Sequence, residues 1–297
     1  VVNGILLRKR VFDNVWIQPA AGDAGGALGA ALSIWHLHHK KKRKASLALD
    51  SMKGAYLGPE FEDKEIESML KACGAIFKKF EEDDLIEMVA ASLADKKAIG
   101  WMQGRMEFGP RALGSRSIIA DPRSKIMQKQ LNIKVKYRES FRPFAPSVLR
   151  EHVNDWFDHD ADSPYMLIVA DVQKDKRLAM TPDEEKLFGI DKLNVPRSSV
   201  PAITHIDYSA RIQTVHADTN PKYHALISKF KEKTGCPLVV NTSFNVRGEP
   251  IVCSPMDAFK CFMGTELDIL AIGNYLLIKE EQNEALKEKY EERYELD

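Results

Sequence analysis

Short apolar runs, parted by longer stretches patterned for helices, set the tightest limit on how this chain can fold. Ala98-Ile99-Gly100-Trp101, Leu167-Ile168-Val169-Ala170 and Leu238-Val239-Val240 are too short for helices and too apolar for exposed loops, so they read as buried strands. Alternating with helical stretches over residues 96–278, they predict one α/β domain. Residues 173–200 are polar and carry Pro182 and Pro196, so this stretch is expected to leave the sheet as a loop. With 297 residues the chain is long enough for about two domains.

The front of the chain has a different grain. Residues 11–17 are strand-rich and Pro19 ends them; Gly22, Gly25 and Gly26 then permit a tight turn into an alanine-rich helix. A strand–glycine–helix joint presents free N–H groups and a helix dipole to an anion. The same pattern also fits a plain tight turn with a small-residue helix packed on a sheet, and both readings stay open. The start Val1-Val2-Asn3-Gly4 is strand-like and has no methionine, as expected of a cut within a larger polypeptide. Residues 46–95 read as a connecting region, with a turn at Tyr56-Leu57-Gly58-Pro59 and short amphipathic helices after Glu62 and Glu82. Met69, Leu70, Ile76, Phe77 and Phe80 are spaced as a helix core face. From Lys279 onward eight acids stand against four bases, so residues 281–297 are expected to form an exposed acidic helix.

Bulk charge excludes some function classes. Lys and Arg total 43, as do Asp and Glu, so the whole chain draws in neither nucleic acid nor a membrane surface. No apolar run is long enough to span a bilayer, and no signal-peptide pattern opens the chain. Cys73, Cys236, Cys253 and Cys261 form no CxxC pair, which suits reduced thiols in a cytoplasmic setting. His36, His38 and His39 lack the HxxxH spacing of two imidazoles on one helix face, so a complete metal site from this chain alone is not expected. The basic run His38 to Lys44 reads as a solvated helix end, with phosphate or RNA contact as the minority reading.

The even balance conceals a local asymmetry. Between Gln103 and Arg150 seven arginines and four lysines face three acids. Residues 104–117 space arginines among glycines, a pattern that brings guanidinium forks and bare N–H groups to one polyanion. In residues 136–146, taken as extended, Lys136, Arg138 and Arg142 share one face and Phe141 and Pro143 the other. Residues 205–215 alternate likewise, placing Asp207, Ser209, Arg211 and Gln213 on one strand face. Residues 241–250 offer hydroxyls, amides and Arg247 just past a buried strand, the usual ligand crevice of α/β sheets. Arg123 and Arg150 read as surface ion pairs of small worth. Arg111, Lys136, Arg142, Arg211 and Arg247 sit beside glycine, proline and aromatics, where unpaired charge is costly to bury. A polyphosphate guest relieves that cost.

The motifs GRMEFGPRALGSRSI, KYRESFRPFAPSVL, DYSARIQTV and NTSFNVRGEPIV, in this order, resemble the C-terminal half of the NodU/CmcH/TobZ-type O-carbamoyltransferases, with the likeness running from Val1 to about Lys279. Residues 1–45 resemble the last part of that family's ASKHA-type carbamoyl-transfer domain, related to the tRNA threonylcarbamoyl-transfer enzymes. Residues 96–280 resemble its YrdC-like half, whose Lys-x-Arg and Thr-Ser-x-Asn signatures fall on Lys136–Arg138 and Thr242–Asn245. The fold this implies is α/β: a YrdC-like twisted mixed sheet with helices, preceded by a strand–loop–helix remnant. The implied reaction has two stages. Carbamoyl phosphate and ATP give carbamoyl adenylate in the YrdC-like half, and the ASKHA half passes the carbamoyl group to an acceptor hydroxyl, assisted by iron in studied relatives.

By the same resemblance Arg111, Lys136 and Arg142 are catalytic. Arg105, Arg138, Arg211, Ser243, Asn245 and Arg247 bind substrate, and Asp23 matches a metal-ligating aspartate, or else caps the following helix. ATP with Mg, carbamoyl phosphate, a small hydroxyl acceptor and the missing N-terminal half of the polypeptide are the implied partners. The family often has glycine and threonine where this chain has Tyr208 and Ser209, so Tyr208 is expected to narrow or reshape the pocket. Two rival readings remain: a YrdC-like nucleotide- or RNA-binding module without turnover, and a scaffold that is inert by itself.

Overall fold

The computed structural model describes residues 2–12, 15–43, 50–287 and 290. Among them nine strands form one mixed sheet. They are β1 (Lys78–Lys79), β2 (Ile99–Met102), β3 (Arg116–Ala120), β4 (Ala145–Leu149), β5 (Ile168–Asp171), β6 (Ser209–Val215), β7 (Leu238–Ser243), β8 (Ile269–Ile272) and β9 (Tyr275–Ile278), in the spatial order β1-β9-β8-β2-β3-β7-β4-β6-β5. Only β2 with β8 and β4 with β6 run parallel; the other neighbours are antiparallel. The three apolar runs singled out above are β2, β5 and β7. β2 is buried along its whole length and β7 over its first four residues, which is why their sequences do not alternate.

The helices are α1 (Val2–Arg8), α2 (Asp23–Ser33), α3 (Asp63–Ala72), α4 (Glu82–Ala94), α5 (Met127–Lys134), the short α6 (Val153–Trp156), α7 (Pro182–Lys186) and α8 (Gly189–Leu193), then α9 (Pro221–Thr234) and α10 (Pro255–Gly264). Local chemistry fixes their ends. Glu62 and Glu65 form a capping box on α3, and Ser254 and Asp257 form one on α10, with Pro255 at its first position. Asn220 caps α9, which stops at Gly235 in the left-handed conformation (φ 74°). α4 packs on α9, which lies against β4 and β7, while α3 packs on α10, which lies against β2 and β8. Tyr223, Leu226, Ile227 and Phe230 of α9 are wholly buried. The three apolar ones, Leu226, Ile227 and Phe230, each contribute roughly 1.5–3 kcal/mol of transfer free energy.

Several expectations need correction. Residues 11–17 form no strand: Val11 and Phe12 lie exposed in a bend, residues 13–14 fall outside the described residues, and residues 15–18 are irregular. The opening residues are helical, and α1 bonds the edge of β5 through Asn3 Nδ2 to the Leu167 carbonyl and Arg8 to the Val169 carbonyl. β propensity needs a ladder partner to become a strand, and this segment has none among the described residues. A helix does form there, as α2, but it starts at Asp23, so Gly25 and Gly26 lie inside it instead of in a turn before it, and none of its residues is fully buried.

In the connecting region the two expected helices form as α3 and α4, and Ile66, Leu70, Leu85, Val89 and Leu93 belong to the same core as the sheet. Ile76, Phe77 and Phe80 lie beyond the end of α3, so they share no helix face with Met69 and Leu70. Residues 173–200 leave the sheet as expected and carry a 3₁₀ turn at Lys174–Lys176, the small α7 and α8, and an isolated bridge between Arg177 and Ser198. Of the tail, two 3₁₀ turns are described, and Tyr290 is 2% exposed instead of solvated; residues 288–289 and 291–297 lie outside the described residues.

Candidate anion-binding site

Two adjoining cavities open at the end of β7. The larger, about 330 Å³, is lined by Lys136, Arg138, Arg142, Ser243, Asn245 and residues 246–250. The smaller, about 160 Å³, is lined by Arg111, Arg138, Arg211, Asn241, Ser243 and apolar neighbours such as Phe144 and Met166. Arg138 and Ser243 belong to both.

The floor of the smaller one comes from the glycine–arginine motif. Glu107 is buried, and its Oε1 accepts the N–H groups of Leu113 at 2.6 Å and Ser115 at 2.8 Å. Burial pushes its carboxyl up, and those N–H groups and Arg116 pull it back. Arg116, fully buried, donates to the carbonyls of Pro59, Gln103, Gly104, Ser115 and Cys253 at 3.0–3.3 Å. Gly114 (φ 105°) lies so close to Tyr223 that a methyl there would come within 2.3 Å of the ring. From the sheet, Asn241 Nδ2 donates to the Ala112 carbonyl at 3.1 Å and Gln213 Nε2 to the Leu113 carbonyl at 2.8 Å. The backbone that carries Arg111 into the smaller cavity is therefore tied to strands β6 and β7.

The wall is a turn. Residues 136–142 are not extended: Tyr137 takes a left-handed φ of 47°, and β4 begins only at Ala145. Asn132, buried on α5, shapes this turn. Its Nδ2 donates to the carbonyls of Ser140 (3.0 Å) and Arg142 (2.8 Å), and its Oδ1 accepts from Arg138 Nε (2.6 Å). The Arg138 guanidinium also stacks over Phe144, 5.0 Å from the ring centroid. Burial lowers its pKa to about 10, with Arg142 adding to the pull and Glu139 opposing it.

Lys136 reaches the end of β7 through this turn. Its Nζ donates to the Ser243 carbonyl, to Ser243 Oγ (3.2 Å) and to the carbonyl (2.8 Å) and Oδ1 (2.7 Å) of Asn245. Burial brings its pKa down to about 7, Arg138 deepens the shift, and Glu249 opposes it.

The predicted cations thus divide in three. Lys136, Arg138, Arg142 and Arg247 meet at the larger cavity with Ser243 and Asn245, where Arg142 pairs with Glu139 at 2.9 Å and Arg247 lies 4.0 Å from the same carboxylate. Arg111 and Arg211 join Arg138 at the smaller cavity, which no Asp or Glu lines. The Nε atoms of Arg111 and Arg211 are buried without a hydrogen-bond partner among the described residues. Burial lowers Arg211 to about 10, with Arg111 adding its repulsion, so it stays charged at neutral pH.

Arg105 lies elsewhere: it is exposed, donating to the Gly58 carbonyl and pairing with Glu60 at 3.5 Å. Arg123 and Arg150 do pair, with Asp121 and Asp162, but Asp121 is fully buried, so the Arg123 pair is not the surface pair expected. Asp207 sits in the turn before β6 and accepts from Ser209; Arg211 lines the cavity and Gln213 lies under its floor. Tyr208 is not among the lining residues; its ring lies under the Arg177 guanidinium, and its φ of 64° is one that glycine adopts without strain.

The resemblance matches one metal ligand in this chain, Asp23. Asp23 is exposed in the first turn of α2, where its charge faces the positive end of the helix dipole. No three His, Cys, Asp or Glu side chains come together as a metal site among the described residues. Of the basic run, residues 38–43 are exposed and Lys44 lies outside the described residues. No described helix is long and apolar enough to cross a membrane, and the four cysteines are free thiols.

Fold and site together define a mixed α/β domain with a cationic cleft at the end of a central strand. The chain belongs to the carbamoyltransferase family: residues 90–279 match the family model described as Carbamoyltransferase C-terminus, and residues 1–32 match Carbamoyltransferase N-terminus. An uncharacterized protein of Synechocystis is 58% identical over all of this chain and 49% of its own length. The 3'-hydroxymethylcephem-O-carbamoyltransferase of Amycolatopsis lactamdurans is 31% identical over 81% of this chain and 39% of its own length. The chain thus spans about half the length, or less, of these relatives. A solved structure of full-length HypF in its phosphate- and nucleotide-bound form covers 68% of this chain and 22% of its own at 16% identity and a TM-score of 0.37, too distant a likeness to bear on fold or site.

Sequence reasoning missed Glu107, Arg116 and Asn132. Arg116 carried a signal, an arginine heading a strand whose other residues are Ser, Ile, Ile and Ala. Asn132 carried none beyond being polar on a helix.

Proposed function

We propose that this chain forms carbamoyl adenylate from carbamoyl phosphate and ATP, for later transfer of the carbamoyl group to an acceptor hydroxyl by a full-length O-carbamoyltransferase. The observation that carries this is the smaller cavity: three guanidinium groups, two of whose Nε atoms are buried with no partner among the described residues, and no acid among its lining residues. Such a cluster favours a multiply charged guest, since each cation–anion pair at about 4 Å is worth roughly 4 kcal/mol at an effective dielectric near 20, before desolvation. Two adjoining cavities suit two phosphate-bearing substrates.

In the first step water cleaves carbamoyl phosphate to carbamate and phosphate. A carbamate oxygen then attacks the α-phosphorus of ATP, and the bond to the pyrophosphate oxygen breaks. Arg111, Arg138 and Arg211 hold one phosphate group, while Lys136, Arg142 and Arg247 hold the other and offset the charge that builds on the leaving pyrophosphate. Ser243 and Asn245 orient Lys136 and the reacting group. No protein nucleophile takes part. Carbamate decomposes in water, so a recessed site with direct transfer is chemically sensible. The test is ATP–pyrophosphate exchange that depends on carbamoyl phosphate, abolished by Arg142→Ala; exchange without carbamoyl phosphate, or none in the unsubstituted chain, defeats the reading.

A further inference from the structure

Tyr290 lies outside the residues that the family model matches, yet it is buried in the main core. Its ring sits on the bare Cα of Gly264 at the end of α10, where a methyl would come within 2.3 Å of it. Its hydroxyl donates to Glu249 Oε1. The other carboxylate oxygen accepts the Val246 N–H at 2.9 Å. The Glu249 carbonyl accepts from Asn245 Nδ2 at 2.6 Å, and Asn245 Oδ1 in turn accepts from Lys136 at 2.7 Å. On the opposite flank the Gly264 carbonyl accepts from the hydroxyl of Tyr137, the neighbour of Lys136, at 2.9 Å. A carboxylate lining an anion cavity repels the guest unless donors hold its charge aside.

We propose that Tyr290 is a positioning residue: from the C-terminal tail it pins Glu249, and through Glu249 the 243–250 loop that sets Asn245 against Lys136. This deepens the anion-site reading and rests on it. Removing the hydroxyl takes one donor from a buried carboxylate and loosens the hold that keeps it aside from the cavity.

In the full chain, Tyr290→Phe keeps the ring on Gly264 and removes only the hydroxyl. Calorimetry is expected to show about tenfold weaker pyrophosphate binding. Amide hydrogen exchange is expected to quicken over residues 243–250 while β2 and β3 stay unchanged. Gly264→Ala, which displaces the ring without touching Glu249, is expected to reproduce both effects. Unchanged loop exchange in Tyr290→Phe overturns the proposal whatever happens to binding. Faster exchange spread through the whole sheet overturns it too, because it marks Tyr290 as core packing alone. If the unsubstituted chain binds no pyrophosphate, the anion reading fails instead, and loop exchange still decides the role of Tyr290.

Discussion

Arg111 and Arg211 enter the smaller cavity from β6 and from backbone tied to strands, whereas Lys136, Arg142 and Arg247 enter the larger one from turns. The larger cavity's cations are already engaged, with oxygens of Ser243 and Asn245 around Lys136 and Glu139 beside the two arginines. Arg111 and Arg211 in the smaller cavity have no acid among its lining residues, and a satellite apolar cluster that includes Leu113, Ala145 and Met166 backs them. One half of the site is therefore shaped before any guest arrives; the other holds charge that only a guest can balance.

Substitutions should separate the two. Lys136→Met is expected to do the most: exchange is lost, and stability falls by about 2 kcal/mol as the acceptors around Nζ lose their donor, readable in urea titration alongside the exchange assay. Arg211→Met is expected to weaken pyrophosphate binding about 100-fold with stability unchanged or raised, because it removes an uncompensated buried cation. A drop in stability comparable to that of Lys136→Met would erase the distinction between the cavities.

The pH response comes third. With Lys136 brought to about 7, its positive charge fades above neutrality, so pyrophosphate affinity is expected to fall about tenfold between pH 7 and 9. Stability should move the other way. An unfolded chain keeps this lysine charged up to its ordinary 10.5 and so binds the extra proton between 7 and 10.5, which makes folding more favourable as pH rises through that window. Parallel slopes for binding and stability would contradict this. The smallest effect belongs to Arg105→Ala, expected to change binding less than about twofold, as suits an exposed side chain paired outside both cavities.

The sheet was legible where burial on both faces wrote continuous apolar runs, as in β2 and β7. The cation set was legible too, because charge beside glycine, proline and aromatics is hard to reconcile with a bland surface. What escaped is what depends on the third dimension. Period-two alternation puts Lys136, Arg138 and Arg142 on one face only if the chain is extended; they meet instead because Tyr137 turns left-handed and Asn132 ties the turn from α5. The three arginines of one motif have three destinies, set by Glu107 gathering the loop's N–H groups and by which carbonyls lie within reach. Residues 11–17 show the converse, strand-forming side chains with no ladder partner among the described residues.

Arg138 and Ser243 form a partition between the two chambers. Occupants on either side of such a partition cannot ignore each other. The first anion to arrive neutralises part of the common guanidinium, so the second meets a weaker field, and order of entry becomes a property of the cleft. In the proposed reaction phosphate leaves one guest before the carbamate joins the other and pyrophosphate departs, and each departure relieves that antagonism.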